Sequence, residues 1–375
     1  MKRVIIFLIV PFIFILHCQA TEPGDDIMNE IRNELNDFKS ALPKEIIDFL
    51  PSEIWNGEFN KIINDSFNEA SLLELILDYL FLGLNSASKS FGAILIIIIL
   101  CSIFNTLSEA FKSNAVKSSF TIASSVCISI TVFNLCTSLA STVSNYLIAL
   151  CNIMESFAPL MATLYIITGN ITSGGIANAS FVLFISIIEN FLVIFMLPIV
   201  NICICLTIIK SFSKQYDFSG ISKTLKNTFT GVTVFVMSIF MFVLSCKNII
   251  SQASDSLSIK TAKFAISSFI PIVGSTVNDA LRTITSSLSI IKNSCGIIAI
   301  IAIALIMLPV IISLLLNKLL YSISSSIAKA LGCNNEYSVL DEASSICGFL
   351  LALVLCTCIL FIFALTILIK TSVVI

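Results

Sequence analysis

Few side chains in this sequence belong to the types that carry out enzyme chemistry. Its 375 residues include a single histidine, His17, which lies in the first apolar stretch. Sites that need histidine as a zinc ligand, as a haem ligand or as the base of a serine or cysteine nucleophile are therefore excluded. The sequence also has no G-x-x-x-x-G-K phosphate loop, so the chain is not expected to hydrolyse ATP. We predict a protein that is not an enzyme and that binds no cofactor and no metal.

The thirteen cysteines do not form a chelating pattern. Two C-x-C pairs are present, Cys203 with Cys205 and Cys356 with Cys358. Residues two apart on a helix point about 200° away from each other, so neither pair can hold one metal ion. Cysteine inside apolar runs of this kind is typically a small, polarisable packing residue.

The composition is that of an integral membrane protein. Apolar residues make up 57% of the chain and charged residues 12%, with a mean hydropathy of +1.02, whereas soluble domains carry about 25% charged residues. The 21 basic residues are balanced by 23 acidic residues, and the basic ones never cluster. This distribution excludes nucleic acid as a partner and leaves membrane lipid as the expected surrounding.

The first 90 residues divide into three predicted segments. Residues 1–20, with a basic start and an apolar run, are typical of a signal peptide. Residues 21–70 are acidic and predict a small helical extracytoplasmic domain, which is either a solvated leader or a docking surface. Its apolar residues recur at helical spacing as Ile27, Ile31, Leu35 and Phe38. Residues 71–90 are expected to form an interfacial helix.

The rest of the chain predicts an all-α integral membrane protein with about six transmembrane helices, the first within residues 91–116 and the last within 331–375. Each supplies close to or more than the roughly 20 apolar residues that a bilayer requires. The predicted spans are Phe91–Leu107, part of Ser119–Tyr146, Ser180–Ile209, Phe229–Cys246, Gly296–Leu316 and Ile346–Ile369. Lysines place residues 112–117, 210–226 and 318–342 in the cytoplasm by the positive-inside rule.

Residues 117–225 and 226–330 resemble each other, which predicts a parallel internal repeat. Ser156-Phe157-Ala158-Pro159 matches Ser268-Phe269-Ile270-Pro271, and Met196-Leu197-Pro198 matches Met307-Leu308-Pro309. Each copy is expected to contain a re-entrant segment broken by proline, Phe157–Thr168 and Phe264–Val277, because stretches of about 10–14 apolar residues are too short to cross. Irregular backbone is tolerated at membrane depth only where protein or water covers it. We therefore expect both segments to meet at one centre.

That centre is the predicted functional site, as a channel centre or a packing centre. A carboxylate inside a membrane helix, here Glu189, is either a functional group or a protonated packing residue. Hydroxyl and amide side chains on one face of the second span serve either helix–helix hydrogen bonding or a wet pathway. This polar face consists of Ser124, Thr131, Asn134, Ser138, Ser141 and Asn145. The predicted centre consists of Pro159, Glu189, Pro198, Pro271, Gly274, Asp279 and Pro309.

One segment of the second copy carries a family resemblance. Ser268-Phe269-Ile270-Pro271-Ile272-Val273-Gly274, continuing through Asn278-Asp279-Ala280 to Ile291-Lys292-Asn293, resembles the stage III sporulation protein AE family of endospore-forming bacteria, with a clostridium-like composition. Together with the signal peptide and the acidic segment, the resemblance covers most of the chain.

The resemblance implies a multi-pass protein of the mother-cell membrane that faces the forespore. It implies a component of the channel, or feeding-tube, complex needed for sporulation and late forespore gene expression. The implied partners are the other products of its operon, which include ring-forming intermembrane proteins and a cytoplasmic ATPase. The family supplies no catalytic residue, and a second copy of the chain is a further candidate partner.

A different class of function is the alternative. A secondary transporter would enclose a substrate site at the repeat interface, near Pro159, Glu189 and Pro271, because parallel repeats with broken helices recur in transporters. The acidic outer segment favours the assembly component, since a stand-alone transporter has no need of a docking surface.

Overall fold

The chain is helical in nearly all the residues that its computed structural model describes. These residues are 25–49, 69–110, 114–167, 171–212, 219–269 and 274–370. They form α1 (Asp25–Ala41), α2 (Lys44–Phe49), α3 (Glu69–Ala110), α4 (Asn114–Ile167), α5 (Ile171–Phe212), α6 (Ser219–Phe269), α7 (Gly274–Ala330) and α8 (Asn334–Lys370).

Five of these helices are long and apolar enough to cross a membrane. Their apolar stretches are Ile76–Phe104 in α3, Ile122–Ile167 in α4, Gly220–Leu257 in α6, Ile291–Ala330 in α7 and Asn334–Ile369 in α8. The described side chains of α5 give a shorter apolar stretch, Ala179–Leu192. The prediction of an all-helical protein with several spans is confirmed, with five such helices among the described residues where about six were expected.

The N-terminal segment contains an amphipathic helix, as its spacing predicts. In α1, Ile31, Leu35 and Phe38 are buried, and this helix packs against α4. The rings of Phe38 and Phe157 lie 5.2 Å apart between centroids. The predicted signal peptide, residues 1–20, lies outside the described residues.

α8 contacts four other long helices, α4, α5, α6 and α7. An aromatic cluster joins three of these elements, because Phe184 of α5 lies 5.3 Å from Phe240 of α6 and 5.8 Å from Phe361 of α8. The opposite face of α8 exposes apolar side chains, Ile359 and Phe363. An exposed apolar face is what contact with lipid chains requires, so α8 is both a packing helix and a lipid-facing one.

The predicted junction between an interfacial helix and the first span does not interrupt the backbone. α3 is one helix of 42 residues from Glu69 to Ala110, so residues 71–90 and 91–110 continue each other. At about 1.5 Å per residue this helix is about 63 Å long, which exceeds the roughly 30 Å of hydrocarbon in a bilayer. The helices therefore project beyond the membrane.

The prediction of a re-entrant segment at Phe157–Thr168 is wrong over its described residues, because α4 continues through Pro159 to Ile167. Pro159 is exposed, whereas Phe157, Leu160 and Leu164 are fully buried on the other side of the helix. A proline inside a helix costs about 3 kcal/mol. Each buried leucine, however, makes about 40–60 atomic contacts of about 0.1–0.2 kcal/mol. The packing of these buried side chains, on the side of the helix opposite the proline ring, therefore outweighs the missing backbone hydrogen bond.

The second predicted re-entrant segment cannot be compared in the same way. α6 ends at Phe269 and α7 begins at Gly274, and Pro271 lies outside the described residues. The parallel repeat and the re-entrant position of Pro271 therefore stay predictions.

Two glycines of the long helices give a matched test of this packing. A Cβ atom at Gly296 of α7 would collide with the side chain of Ile369 in α8, whereas a Cβ atom at Gly231 of α6 would meet open space. We expect Gly296→Val to lower the free energy of unfolding by about 1–3 kcal/mol through overpacking. We expect Gly231→Val to change it little. Thermal unfolding of the full chain in detergent micelles measures both, and equal stability of the two variants would contradict this packing.

Candidate functional site at the two ends of α8

The turn between α7 and α8 fixes where α8 begins. Gly332 adopts a φ of 75°, a left-handed conformation that favours glycine at the end of a helix. The amide of Cys333 donates to the carbonyl of Ala328 at 2.9 Å, and the amide of Gly332 donates to that of Lys329 at 3.1 Å. These bonds close the end of α7 and direct the chain into α8.

The first turn of α8 carries a buried carboxylate. Glu336 is 1% exposed, and its Oε1 accepts a hydrogen bond from the Ser124 hydroxyl of α4 at 2.6 Å. The Asn335 amide donates to the Ser125 hydroxyl at 3.3 Å. A carboxylate at a helix N-terminus is also stabilised by the positive end of the helix dipole. The start of α8 is therefore fixed to α4.

An ion pair joins α6 to α8 two turns further along. Lys226 Nζ lies 2.6 Å from Glu342 Oε1, and these side chains are only 6% and 14% exposed. The Ser222 hydroxyl donates to the same carboxylate oxygen, and Lys226 also donates to the Ser345 hydroxyl at 2.6 Å. A largely buried ion pair persists only where such extra hydrogen bonds satisfy its charges. We call Ser124, Ser222, Lys226, Glu336, Glu342 and Ser345 the inner cluster.

The Ser345–Lys226 contact has the residue types of a serine–lysine catalytic pair. Lys226 is bonded to Glu342 as well as to Ser345, so the contact ties α6 to α8.

The other end of α8 is closed by side chains from two more helices. The last carbonyl groups of a helix have no partner within it. The Tyr165 hydroxyl of α4 donates to the Leu368 carbonyl, and the Asn248 amide of α6 donates to the Ile367 carbonyl at 3.1 Å. The Lys292 ammonium of α7 lies 5.0 Å from the centre of the Tyr165 ring, within the range of a cation–π contact. We call Tyr165, Asn248, Lys292, Ile367 and Leu368 the outer cluster.

The residues of the predicted centre are distributed over several helices. Pro159 of α4 and Pro198 of α5 are exposed, and Pro309 of α7 is half-buried. Within the part of the chain that the structure describes, no hydrogen bond or ion pair joins these prolines to Glu189 or to one another. Gly274 and Asp279 lie in the first two turns of α7, and Pro271 is outside the described residues. The common centre stays a prediction.

Glu189 is half-buried on α5, and Glu155 is half-buried on α4. Both carboxylates lie near enough to the buried thiol of Cys151 on α4 for their charge to act on it. The described residues contain no group of three His, Cys, Asp or Glu side chains arranged to hold a metal ion.

Of the inner cluster, the sequence singles out only Ser124, as part of the polar face of the second span. Lys226 reads as one of several cytoplasmic lysines, and Glu336 and Glu342 read as part of a polar loop. The position of Glu336 and Glu342 could have indicated the cluster, because both residues directly precede the apolar run that begins at Ile346. Acidic residues at the entrance of a span need partners there.

Comparisons with known proteins agree with the sequence resemblance. The family model described as stage III sporulation protein AE matches residues 55–372. The chain is 25% identical over 354 residues to stage III sporulation protein AE of Bacillus subtilis (strain 168), which covers 91% of this chain and 86% of the relative. No solved structure matches the chain significantly.

Removing one partner of the Lys226–Glu342 pair tests the inner cluster. Glu342→Gln leaves a buried ammonium without its counter-charge, and we expect a loss of about 3–5 kcal/mol in the free energy of unfolding. The control is Asp341→Asn at the exposed neighbouring position, which should change little. Lys226→Met combined with Glu342→Gln should recover part of the loss. Unfolding in mixed detergent micelles measures all three, and equal stability of Glu342→Gln and Asp341→Asn would refute the role of the pair.

Proposed function

Because this chain belongs to the stage III sporulation protein AE family, we propose that it is a multi-pass membrane component of the channel complex that joins mother cell and forespore. The observation that carries the proposal is the extent of the family match, since residues 55–372 contain all five membrane-compatible helices. The inner and outer clusters support it, because their polar groups bond the membrane helices to one another.

The proposed partners are ring-forming intermembrane proteins and a cytoplasmic ATPase from the same operon. The chain has no phosphate loop, so energy for the complex would come from such a partner. The docking surface proposed for the outer partners is the polar face of α1. On this helix Asn33, Asn36 and Asp37 are exposed, whereas Ile31, Leu35 and Phe38 are turned towards α4.

The proposed orientation places the inner cluster towards the cytoplasm of the mother cell and α1 on the opposite side. Lys226 is in the inner cluster, and Lys329 lies just before the turn into α8, where the positive-inside rule favours the cytoplasm. α1 packs on Phe157, near the other end of α4.

Thiol labelling tests this orientation in intact vegetative cells that are made to express the chain, because its outward side then faces the medium. Ser40 of α1 and Asn334 at the start of α8 are both exposed and serve as the matched pair. With accessible native cysteines replaced, Ser40→Cys should react with a membrane-impermeant reagent before permeabilisation. Asn334→Cys should react only afterwards. The reverse order of labelling would invert the proposed topology.

A deletion strain tests the proposed function. We expect normal vegetative growth in rich medium and loss of heat-resistant spores after engulfment, because the complex would act only during sporulation. The full chain supplied from a second locus should restore spore counts, as should the Asp341→Asn variant. A growth defect in rich medium, with normal spore counts among surviving cells, would favour the secondary transporter instead.

A further inference from the structure

The exposed face of α4 differs from the exposed faces of the other membrane helices. Between residues 131 and 155 its exposed residues are all polar, namely Asn134, Ser138, Ser141, Thr142, Asn145 and Asn152. Asn134, Ser138, Ser141 and Asn145 form one row on the helix, which we call the polar stripe. On α6, the exposed residues Val232, Phe235, Ile239 and Phe242 are apolar. On α3, the exposed Ile96, Ile99, Leu100 and Ile103 are apolar as well.

This polar stripe lies at membrane depth. α4 and α8 run in the same direction, because Ser124 bonds to Glu336 near the start of both and Tyr165 bonds to Leu368 near the end of both. Linear interpolation between these two contacts puts Asn134 to Asn145 level with about residues 344–352 of α8. Most of that part of α8 belongs to its apolar run, so bulk water is not the natural surrounding of the stripe.

The side chains of the stripe have no hydrogen-bond partner in the described part of the chain, which distinguishes them from other polar residues of α4. Thr131 and Thr142 donate back to the carbonyls of Cys127 and Ser138. Asn134 and Asn145 have two donors and an acceptor each, and an unsatisfied polar group in hydrocarbon costs several kcal/mol. At this depth the stripe therefore requires a polar partner beyond the described residues.

The spacing of the stripe is that of a helix–helix seam. Asn134, Ser138, Ser141 and Asn145 are separated by 4, 3 and 4 residues. Residues three and four apart lie on the same face of a helix, so the row can contact one partner helix along its length. Serine side chains are small enough for two backbones to approach closely, and asparagine hydrogen-bonds across the contact.

We infer that the stripe Asn134–Ser138–Ser141–Asn145 is the contact by which two copies of this chain associate in the membrane. Hydroxyls and amides both donate and accept, so the stripe is complementary to itself. Two copies inserted in the same orientation are related by a two-fold axis along the membrane normal, which sets each residue of the row near its own counterpart. The absence of charge on the row fits a second copy better than a charged partner helix. The inference does not depend on the proposed channel complex.

Cysteine cross-linking of the full-length chain in membranes of the sporulating host tests the seam. The exposed native thiols of the described residues are first removed by Cys127→Ser and Cys205→Ser, and Cys18, which lies outside those residues, is also replaced by serine. Single cysteines then replace Asn134, Ser138, Ser141 or Asn145, and two differently tagged copies are co-expressed. Oxidation should give a disulfide-linked dimer that carries both tags. The matched control is Ser238→Cys, which replaces an exposed serine of α6 and should give none.

A second variant separates a seam from chance collision. Asn134→Leu with Asn145→Leu, introduced into the Ser141→Cys protein, should lower the dimer yield by about tenfold, since two cross-helix hydrogen-bond sites are lost. Asn190→Leu on α5, also exposed, should leave the yield unchanged. Equal yields at Ser141 and Ser238, or no dimer while the protein is present, would overturn the seam. Reaction of the four cysteines with an impermeant thiol reagent would also overturn it, because the stripe would then line a water-filled path.

Discussion

The bundle depends on the need of buried charged groups and helix-end carbonyls for a partner, and this need is met at both ends of α8. In hydrocarbon, an unpaired carboxylate, ammonium or helix-end carbonyl costs several kcal/mol. Glu342 is therefore paired with Lys226, Glu336 with Ser124, and the Leu368 carbonyl with Tyr165. Because these partners lie on α4 and α6, the same contacts that satisfy α8 also set the positions of its neighbours.

This arrangement explains how the interior ties the helices together. Each charged residue of the inner cluster is bonded to a residue of another helix, Lys226 to Glu342 and Glu336 to Ser124. What the bundle presents outward is a polar helix at one end, α1, and an uncharged polar row on α4. A membrane component that works by holding partners needs such surfaces more than it needs a cavity.

The features of the fold that depend on hydrophobic periodicity and on composition could be predicted from the sequence. The membrane helices follow from long apolar runs, and the helix α1 follows from the spacing of Ile31, Leu35 and Phe38. The prediction of a break at Pro159 was wrong. A proline in the sequence indicates only that one backbone hydrogen bond is missing, whereas the packing of Phe157 and Leu160 on the other side of the helix depends on tertiary structure. The pairing of Lys226 with Glu342 joins residues 116 positions apart, and local spacing carries no information about such a contact.

Hydrogen exchange along α8 is the most direct test of the claim that this helix is held at both ends. The full chain would be studied in lipid nanodiscs, with amide exchange followed by mass spectrometry. If the inner and outer clusters hold α8, the amides of residues 338–345 should exchange as slowly as those of the apolar run from 346 to 365. If the amides before Ile346 exchange as fast as those of the short helix α2, the ends of α8 are open and the account is contradicted.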